Sequence, residues 1–407
     1  MKFDFDVLII GAGPAGCAAA IELGKTSLSI AVFDKASFPR DKTCGDALSV
    51  DVINQLGKLS PELEKDFFSM STKISSKGVS IFAPNGKHID IPFTHNHEQR
   101  SGFICKRIDF DDLLVQFTIK QKNVTVFQDT EVKEVHTQTS GVTAVTSKGI
   151  FNGKIIIAAD GAHSIVRKKF NGSKIDRYHH SAGLRRYYKG ITGFNPGNYI
   201  ELYFFKDILP GYLWIFPLPN GEANIGIGML SVEVANRKVN LSKKFESLIY
   251  NHPLLAERFK NARPVETAKG HGLPLGWTKR KISGNKFLLT GDAASLIDPF
   301  SGEGIGNAIR SGRVAAEHIR KCIASEDFSA AFNKKYDEEI YRRVGKEFAI
   351  GNTMLRLCRY TWLFNTIVNK ANKNDNLHRV LIDSLANPEK KKWLVQPSFY
   401  FNLFFRS

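Results

Sequence analysis

A cysteine surrounded by charged residues lies in the segment RDKTCGD, at positions 40–46 of the 407-residue chain. Arg40 and Lys42 are close to Cys44 in sequence, and neighbouring cations favour the thiolate form of a cysteine. The thiol of Cys44 is therefore a candidate for proton transfer. A cysteine that only fits a tight loop would give the same pattern, so a structural role stays open.

The five cysteines do not form a recognisable metal or disulfide framework. They are odd in number and widely spaced, and no pair is separated by two residues, which argues against a disulfide scaffold, a zinc site and an iron–sulfur cluster. The pair His95 and His97 also lacks the accompanying ligands of a metal centre. We expect free thiols and no metal. The cysteines are Cys17, Cys44, Cys105, Cys322 and Cys358.

The glycine-rich stretch GAGPAG, residues 11–16, follows the apolar run FDVLII and precedes the helical pattern CAAAIELGK. With the next apolar run, LSIAVFDK, it completes a strand–helix–strand unit of about 30 residues, the setting in which this spacing binds a dinucleotide. Gly11 permits the tight turn, Gly13 lets the backbone approach a pyrophosphate, and Gly16 lets helix and strand pack closely. The helix N-terminus attracts phosphate, and Asp34 at the end of the second strand can accept hydrogen bonds from a ribose.

Two further turns follow apolar strands. Asp160 and Gly161 come after KIIIAA, and Gly291 and Asp292 come after KFLLT. Asp292 can hold the hydroxyl groups of an extended ligand. The turn DPFSGEGIG, residues 298–306, then starts a helix whose N-terminus can stabilise negative charge such as that of a reduced flavin. Each of these turns taken alone could be an ordinary loop.

The order of the predicted elements indicates one nucleotide-binding domain assembled from separated segments. Elements of a parallel α/β sheet are predicted at 5–35, 155–160 and 286–292, whereas 72–105 and 181–230 alternate as antiparallel strands do. We therefore predict an α/β fold with a Rossmann-type domain, an inserted antiparallel sheet and a C-terminal helical segment. The predicted domains span 1–70, 101–168 and 284–327 for the first, 71–100 and 169–283 for the second, and 328–407 for the third.

The three motifs, in this order and at these distances, resemble the FAD-dependent para-hydroxybenzoate hydroxylase-like superfamily over residues 1 to about 325. That superfamily joins a Rossmann-type FAD-binding domain to an inserted antiparallel substrate sheet, so the resemblance implies FAD as the cofactor. It also implies that Arg107, in RIDFDDLL, lies near the FAD pyrophosphate and adenosine and that Asp292 contacts the ribityl chain. The predicted cofactor-binding residues are Gly11, Gly13, Ala15, Gly16, Asp34, Lys35, Arg40, Cys44, Gly45, Arg107, Asp160, Gly161, Gly291, Asp292, Pro299, Gly302, Gly304 and Ile305.

Two segments are also similar to the geranylgeranyl reductase family. FPRDKTCGDAL carries that family's P-R-x-K-x-C-G loop at 39–45, and PGYLWIFPLPNGEANIGIG carries its Y-x-W-x-F-P segment at 212–217. The resemblance implies an FAD-dependent enzyme that reduces isolated double bonds in isoprenoid chains, with Tyr212, Trp214 and Phe216 lining a lipid tunnel. Alternate residues of a strand share one face, as a substrate wall requires, but an ordinary sheet core has the same pattern.

A reduction of this kind needs two reagents at the double bond. Flavin N5 would supply a hydride to one carbon, and an acid would supply a proton to the other. Cys44, or a water held near it, is the candidate for that acid. We expect NADPH or another external donor to reduce the flavin, although the sequence shows no separate nicotinamide-binding motif.

The main alternative on the same fold is an FAD-dependent monooxygenase, which would act through a flavin C4a-hydroperoxide on a hydrophobic or aromatic substrate. Related halogenases carry W-x-W-x-I-P, and Tyr212 and Phe216 depart from that pattern, so hydroxylation or epoxidation is the form that stays open. A prenyl-binding carrier without activity is disfavoured because all three glycine motifs are intact. Arg185 and Arg186, with Lys189, could bind an anionic head group or form a solvated strand face.

The chain has a formal charge of +17, and residues 331–407 carry 14 Lys and Arg against 7 Asp and Glu. Since these residues include the aromatic segments YTWLFNTIV and SFYFNLFFRS, we predict contact with an anionic membrane surface, although the tail could also pack on the body. No nucleic-acid-binding motif accompanies the charge. No apolar run is long enough to span a membrane, and the N-terminus lacks the features of a signal peptide. We therefore predict a cytoplasmic protein that contacts the inner face of the membrane, and the oligomeric state stays open.

Overall fold

The computed structural model describes residues 3–95, 98–172, 176–277, 279–386 and 391–405. His97 and the side chain of His95, the pair that the sequence argues against as a metal site, lie outside the described part of the chain.

The strands belong to one mainly parallel sheet, one large mainly antiparallel sheet and three small antiparallel sheets. In chain order they are β1 (Val7–Ile10), β2 (Ile30–Phe33), β3 (Ala47–Leu48), β4 (Lys73–Ser76), β5 (Gly78–Phe82), β6 (His88–Pro92), β7 (Thr94–His95), β8 (Glu98–Gln99), β9 (Gly102–Cys105), β10 (Val124–Phe127), β11 (Val132–Thr137), β12 (Val142–Thr146), β13 (Gly149–Gly153), β14 (Ile155–Ala158), β15 (His180–Lys189), β16 (Ile200–Tyr203), β17 (Gly211–Pro217), β18 (Glu222–Leu230), β19 (Arg263–Pro264), β20 (Lys269–Pro274), β21 (Ser283–Gly284) and β22 (Phe287–Leu289).

The helices flank the parallel sheet, cover one face of the large sheet and make up the C-terminal part of the chain. They are α1 (Pro14–Leu23), α2 (Val50–Leu59), α3 (Pro61–Ser69), α4 (Arg107–Ile119), α5 (Ile165–Asn171), α6 (Ser231–Asn236), α7 (Leu241–Asn251), α8 (Ala256–Phe259), α9 (Ile305–Ser325), α10 (Ala330–Leu357), α11 (Thr361–Ala371), α12 (Asp375–Ala386) and α13 (Pro397–Phe405).

The parallel sheet has the strand order β10–β2–β1–β14–β22, and β21 closes its edge in the antiparallel direction. The runs VLII, IAVF and IIIA are apolar at every position and wholly buried, as expected for strands that are covered on both faces. Parallel strands end at the same edge of a sheet. The turns that begin at Gly11, Asp34, Asp160 and Gly291 therefore meet at that edge, although almost 300 residues of chain separate the first from the last.

The large sheet has the order β19–β15–β18–β17–β16–β5–β6, with β20 also beside β15. Its pairs are antiparallel, as the alternating sequence predicts, except that β16 and β5 run parallel. The β5–β6 hairpin comes from an earlier segment of the chain and joins the sheet at β16, so no short turn imposes an antiparallel direction there. β4 instead pairs with β9, which also holds β3, in a separate three-stranded sheet.

The chain after residue 328 is helical, as predicted. α10 begins where the Ser329 hydroxyl accepts a hydrogen bond from the Phe332 backbone N–H, and its buried Phe348 packs into the core of the parallel-sheet domain. α11 and α12 instead contribute Val368 and Leu381 to a cluster with strands β5 and β6. Among the described residues, no helix combines the length and apolar character needed to cross a bilayer.

The predicted α/β fold class is thus confirmed: a Rossmann-type sheet, an inserted sheet of mainly antiparallel strands and a C-terminal helical segment.

Candidate active site

A cavity of about 620 Å³ opens at the carboxyl edge of the parallel sheet, and the three glycine motifs and the Cys44 loop form its walls. Its volume lies within the usual range for cofactor sites. Sixteen of the predicted cofactor-binding residues line it: Gly11, Gly13, Ala15, Asp34, Lys35, Arg40, Cys44, Gly45, Arg107, Asp160, Gly161, Gly291, Asp292, Gly302, Gly304 and Ile305.

Two predicted cofactor residues do not line the cavity. A Cβ on Gly16 would lie 1.9 Å from the Gly11 carbonyl oxygen, so Gly16 serves the close packing of α1 on the sheet that its motif position predicts. Pro299 is buried against α10, where its Cδ would lie 3.2 Å from a Cβ placed on Gly351. The structure therefore separates these two residues from the cavity surface.

The first glycine turn forms an open cradle for an anion. Gly11 has φ +98°, and a Cβ there would lie 2.4 Å from the Ala159 carbonyl oxygen. Gly13 faces open space, since the nearest atom to a Cβ on it would be Arg40 Nη2 at 3.9 Å. No side chain caps the N-terminus of α1. Its backbone N–H groups and partial positive charge therefore remain available to a phosphate.

Asp34 is fixed at the end of β2 by the backbone. One carboxylate oxygen accepts a hydrogen bond from the Ala12 N–H at 2.8 Å, and the other accepts one from the Ala36 N–H at 2.9 Å. Each oxygen has a further lone pair, and the residue lines the cavity. Asp34 can therefore still accept a hydrogen bond from a ribose hydroxyl.

At the far end of the cavity, Asp292 forms an ion pair with Lys42 at 3.3 Å. Burial alone would raise the pKa of Asp292, but the charge and hydrogen bond of Lys42, together with the charges of His271 and Arg107, outweigh burial and lower it. The N-terminus of α9 begins at Ile305, also without a side-chain cap, and lines the same cavity. A second electron-rich group can thus lie at that helix end.

Two residues on the cavity wall carry buried polar atoms that have no hydrogen-bond partner among the described residues: Asp160 Oδ1 and His271 Nε2. Burial and the charge of Lys42 lower the pKa of His271 to about 4, so its imidazole is neutral near pH 7. Sequence reasoning missed His271 and its ring neighbour His163, whose centroid lies 6.2 Å away. No local signal marks a role for either ring, because His271 lies in β20 and only the fold brings it beside the turn that follows Asp160.

These observations fit FAD. Two uncapped helix ends face a single cavity, Gly13 leaves room for a close phosphate, and unpartnered buried polar atoms remain on the wall. A dinucleotide with a pyrophosphate in its middle matches that distribution of donors and acceptors.

Cys44 is half-buried on the cavity wall and is one of five free thiols. The buried Arg107 guanidinium lines the same cavity wall, and its charge interacts with the Cys44 thiol. The same guanidinium forms two hydrogen bonds of 2.7 Å with the buried Asp111 carboxylate, which also accepts one from Arg40 at 2.6 Å. Burial would lower the pKa of Arg107, but Asp111 and Cys44 outweigh burial and raise it. Arg107 is therefore a fixed cation beside the thiol.

A buried asparagine joins the Cys44 loop to the aromatic strand β17. The Asn224 side-chain amide donates to the Cys44 carbonyl oxygen and to Asp46, both at 2.7 Å, and accepts from the Trp214 indole N–H at 2.9 Å. Sequence reasoning missed Asn224, because nothing in the strand EANIGIGML shows that its partners come from a loop 180 residues earlier.

Asp46 completes this connection. It is fully buried, has φ +69°, and accepts hydrogen bonds from the Tyr187 hydroxyl at 2.6 Å and from the Arg107 backbone N–H at 3.3 Å. Burial raises its pKa to about 6, although the hydrogen bonds from Tyr187 and Asn224 act in the opposite direction. Asp46 therefore holds the loop, α4 and the large sheet together.

The predicted substrate residues form an aromatic row beside the cavity without being part of its lining. The ring centroids of Tyr212 and Trp214 lie 6.2 Å apart, and those of Trp214 and Phe216 lie 6.3 Å apart. A Cβ on Gly45 would lie 2.9 Å from the Phe216 ring, and a Cβ on Gly302 would lie 2.8 Å from the Tyr212 hydroxyl. The row therefore adjoins the Cys44 loop at one end and the turn before α9 at the other.

One interpretation of the sequence is wrong for Arg185. Its side chain is fully buried and forms an ion pair with Asp41 at 2.9 Å and another with Glu266. The guanidinium is therefore not available to an anionic head group; it fixes the loop at 40–46 to the large sheet. A guanidinium group pairs with carboxylates as readily as with phosphates, so two protein carboxylates account for the arginine at this position.

Comparisons with known proteins agree with this geometry. Residues 4–181 match the family described as FAD binding domain, and residues 184–271 match the family described as geranylgeranyl reductase catalytic domain. The chain is 29% identical to a menaquinone reductase of Mycolicibacterium smegmatis, over 88% of this chain and 86% of that protein. It is 28% identical to a digeranylgeranylglycerophospholipid reductase of Methanopyrus kandleri, over 85% of this chain and 84% of that protein.

Among solved structures, a geranylgeranyl bacteriochlorophyll reductase-like protein from Thermoplasma acidophilum has the same fold. The TM-score is 0.80 at 24% identity, over 96% of this chain and 98% of that protein.

Proposed function

The chain belongs to the geranylgeranyl reductase family of FAD-dependent oxidoreductases, and we propose that it reduces carbon–carbon double bonds in the isoprenoid chain of a lipid or prenyl diphosphate. The observation that carries the proposal is the link from the Trp214 indole through Asn224 to the Cys44 carbonyl. This link holds an apolar aromatic row next to the thiol on the wall of the cofactor cavity. The names of the two relatives, which specify lipid substrates, support the same substrate class.

In this proposal the glycine turns hold the cofactor. The N-terminus of α1 binds the pyrophosphate, Asp34 accepts hydrogen bonds from the ribose, and Asp292 with the N-terminus of α9 holds the ribityl chain and the ring. Bound FAD, once reduced, supplies the hydride that the reaction requires. Lys42 keeps Asp292 ionised through their ion pair, so that this carboxylate acts as a hydrogen-bond acceptor.

Cys44 is the proposed proton donor. Reduction of an isolated double bond adds a hydride to one carbon and a proton to the other. The Cys44 thiol, or a water that it holds, gives up that proton, and the positive charge of Arg107 stabilises the negative charge left behind. The ion pair with Asp111 keeps that guanidinium in place throughout.

The aromatic row is the proposed wall for the isoprenoid chain. From Tyr212 a series of rings continues through Phe204, 5.6 Å away, to Phe364 of α11 at 4.9 Å from Phe204. Phe364 lines a second, apolar cavity of about 90 Å³ between the C-terminal helices and strands β5 and β6. Apolar ligands are bound mainly by burial of their surface. The series of rings and this apolar cavity would therefore hold the end of the isoprenoid chain that lies farther from the cofactor.

The C-terminal helices are the proposed contact with an anionic membrane surface. Four aromatic residues of this segment are between 47% and 61% exposed: Tyr360, Trp362, Trp393 and Phe401. The segment 331–407 carries seven excess positive charges. Aromatic side chains at an interface and basic residues above anionic lipids are the two features that hold peripheral proteins to bilayers. A lipid substrate could then reach the aromatic row without entering water.

An anaerobic single-turnover experiment tests the proposed reaction. The holoenzyme is photoreduced, a geranylgeranyl phospholipid or geranylgeranyl diphosphate is added, and flavin absorbance is followed while the product is analysed by mass spectrometry. We expect flavin reoxidation without oxygen and a product heavier by two hydrogens per reduced bond. Reoxidation only after oxygen is admitted, with oxygen incorporated in the product, would refute the proposal and favour a monooxygenase.

A further inference from the structure

A second cavity, of about 530 Å³, adjoins the cofactor cavity. The two share Ala162 and His163, which belong to the short turn after Asp160. The other walls of the second cavity come from α5, from the segment at 176–180, from residues 280–282 and from the turn at 293–295. Neither the proposed chemistry nor the aromatic row uses this space.

The walls of this second cavity, which we name the basic cavity, carry an excess of positive charge. Among its described lining residues, Arg167, Lys168, Arg280 and Lys281 are cationic and only Asp176 carries a carboxylate. That carboxylate is already occupied, because it accepts hydrogen bonds from Arg280 at 3.1 Å and from the neighbouring histidine ring. The described part of the wall therefore offers no second carboxylate to neutralise the remaining cations.

Arg167 is the clearest case. Its guanidinium donates to the backbone carbonyl oxygens of Ala162 and Asp292. Among the described residues it has no ion pair at contact distance, although the charges of Asp160 and Asp292 act on it from farther away. Burial lowers the pKa of Arg167, the charges of Asp160 and Asp292 oppose that shift, and the like charge of Arg280 adds to it. Two guanidinium groups and two ammonium groups that line one cavity supply the charged donors that bind phosphate oxygens.

We infer that the basic cavity binds the phosphate groups of an anionic ligand of the flavin reaction. Two ligands of the proposed function carry that chemistry: a nicotinamide dinucleotide that reduces the flavin, through its diphosphate, and a phosphorylated isoprenoid substrate, through its head group. The identity of these two ligands rests on the proposed function, whereas the inference that the cavity binds phosphate does not. Tyr212, Trp214 and Phe216 are absent from the described lining of the basic cavity, and this favours the electron donor over the lipid.

Binding of inorganic pyrophosphate to the purified holoenzyme, measured by titration calorimetry, tests the site without any turnover. Lys168 and Lys281 are exposed, so the double variant Lys168→Gln/Lys281→Gln should keep the fold. We expect its dissociation constant for pyrophosphate to rise about tenfold, since two charge-assisted contacts are lost. Lys169→Gln is the matched control: it removes a charge from the next position of α5, where the ammonium contacts His136 instead of the cavity.

No pyrophosphate binding to the unmodified protein, or an equal weakening per charge in Lys169→Gln, would overturn the inference. Kinetic measurements on the double variant then distinguish the two candidate ligands. A higher dissociation constant for NADPH in rapid flavin reduction identifies the donor, whereas a higher KM for geranylgeranyl diphosphate with chemically reduced enzyme identifies the lipid. Weaker pyrophosphate binding with neither change would overturn both sources. Retained pyrophosphate binding in a protein that leaves prenyl double bonds intact would refute the proposed function alone.

Discussion

Replacing Asn224 by alanine should destabilise the fold and also uncouple the aromatic row from the Cys44 loop. The side chain is fully buried and makes three hydrogen bonds, to the Cys44 carbonyl, to Asp46 and to the Trp214 indole. Alanine would remove all three. Asp46 would keep the hydrogen bond from the Tyr187 hydroxyl, but the Cys44 carbonyl and the Trp214 indole N–H would each lose the bond that Asn224 makes with them.

The expected loss follows from these bonds. The two bonds between neutral groups contribute about 1 kcal/mol each, and the bond to a carboxylate contributes about 1.5–3 kcal/mol. Since the pKa of Asp46 is raised only to about 6, its carboxyl is mostly ionised at pH 7 and the larger figure applies. We expect the free energy of unfolding to fall by about 3–5 kcal/mol.

Asn333→Ala is the matched control for this loss. Asn333 is equally buried, donates to the carbonyl oxygens of Gly284 at 2.8 Å and Phe328 at 3.2 Å, and bonds to His318 at 3.0 Å. It lies in α10, away from the cofactor cavity. Its alanine variant should therefore lose a comparable free energy of unfolding without disturbing the site.

Urea unfolding and the kcat/KM for a geranylgeranyl lipid, measured below the unfolding transition, separate the two effects. We expect kcat/KM to fall about tenfold or more in Asn224→Ala, which corresponds to at least 1.4 kcal/mol of lost transition-state stabilisation, and to change little in Asn333→Ala. Equal kcat/KM values in the two variants would refute the reasoning that the Trp214–Asn224–Cys44 link positions the site.

Three further outcomes are expected. Gly11→Ala should lose bound FAD, because Gly11 has φ +98° and a Cβ there would lie 2.4 Å from a backbone carbonyl oxygen; full flavin content after gel filtration would contradict the phosphate cradle. Cys44→Ala should keep FAD but lower the anaerobic single-turnover rate of double-bond reduction by about 10²–10⁴-fold, and an unchanged rate would leave Cys44 as a loop residue. The free energy of unfolding of the holoenzyme should fall as pH is lowered from about 6.5 toward 4. Burial and the Lys42 charge lower the pKa of His271 to about 4 in the folded protein. In this pH range the unfolded chain therefore binds a proton that the folded protein does not. In His271→Gln, measured by urea unfolding, the free energy of unfolding should fall by about 1–3 kcal/mol less across that pH range. An identical pH dependence in the two proteins would mean that other groups cause the loss of stability.

Local pattern was sufficient for the parts of the fold and site that depend on neighbours in sequence. A glycine turn between an apolar strand and a helix predicts its own geometry, and Gly11 has the positive φ that such a turn needs. The period of two at 212–216 likewise predicted that Tyr212, Trp214 and Phe216 share one face of a strand. The parallel pair β16–β5 could not be read in the same way, because each strand by itself has no direction relative to a partner from another segment.

The interpretation of Arg185 was wrong for a related reason. An arginine pair in a strand has the same appearance whether its partner is a ligand phosphate or a protein carboxylate, and here the carboxylates come from residues 41 and 266. His271, Asn224 and the lysines of the basic cavity were missed because their significance lies in what they contact, and those contacts span up to 180 residues of chain.

The sequence by itself determined the α/β class, the three turns of the FAD site, the family, and the presence of a thiol next to cations in the loop at 40–46. These properties depend on which residue types lie close together in the sequence, because local steric constraints and the spacing of apolar residues determine them. Only the tertiary structure decided which cation acts on the thiol: the charge of Arg107, from a helix about sixty residues later, interacts with Cys44, while Arg40 pairs with Asp111 and Lys42 with Asp292. Charges act through distance in space, and that distance is set by the packing of the whole chain.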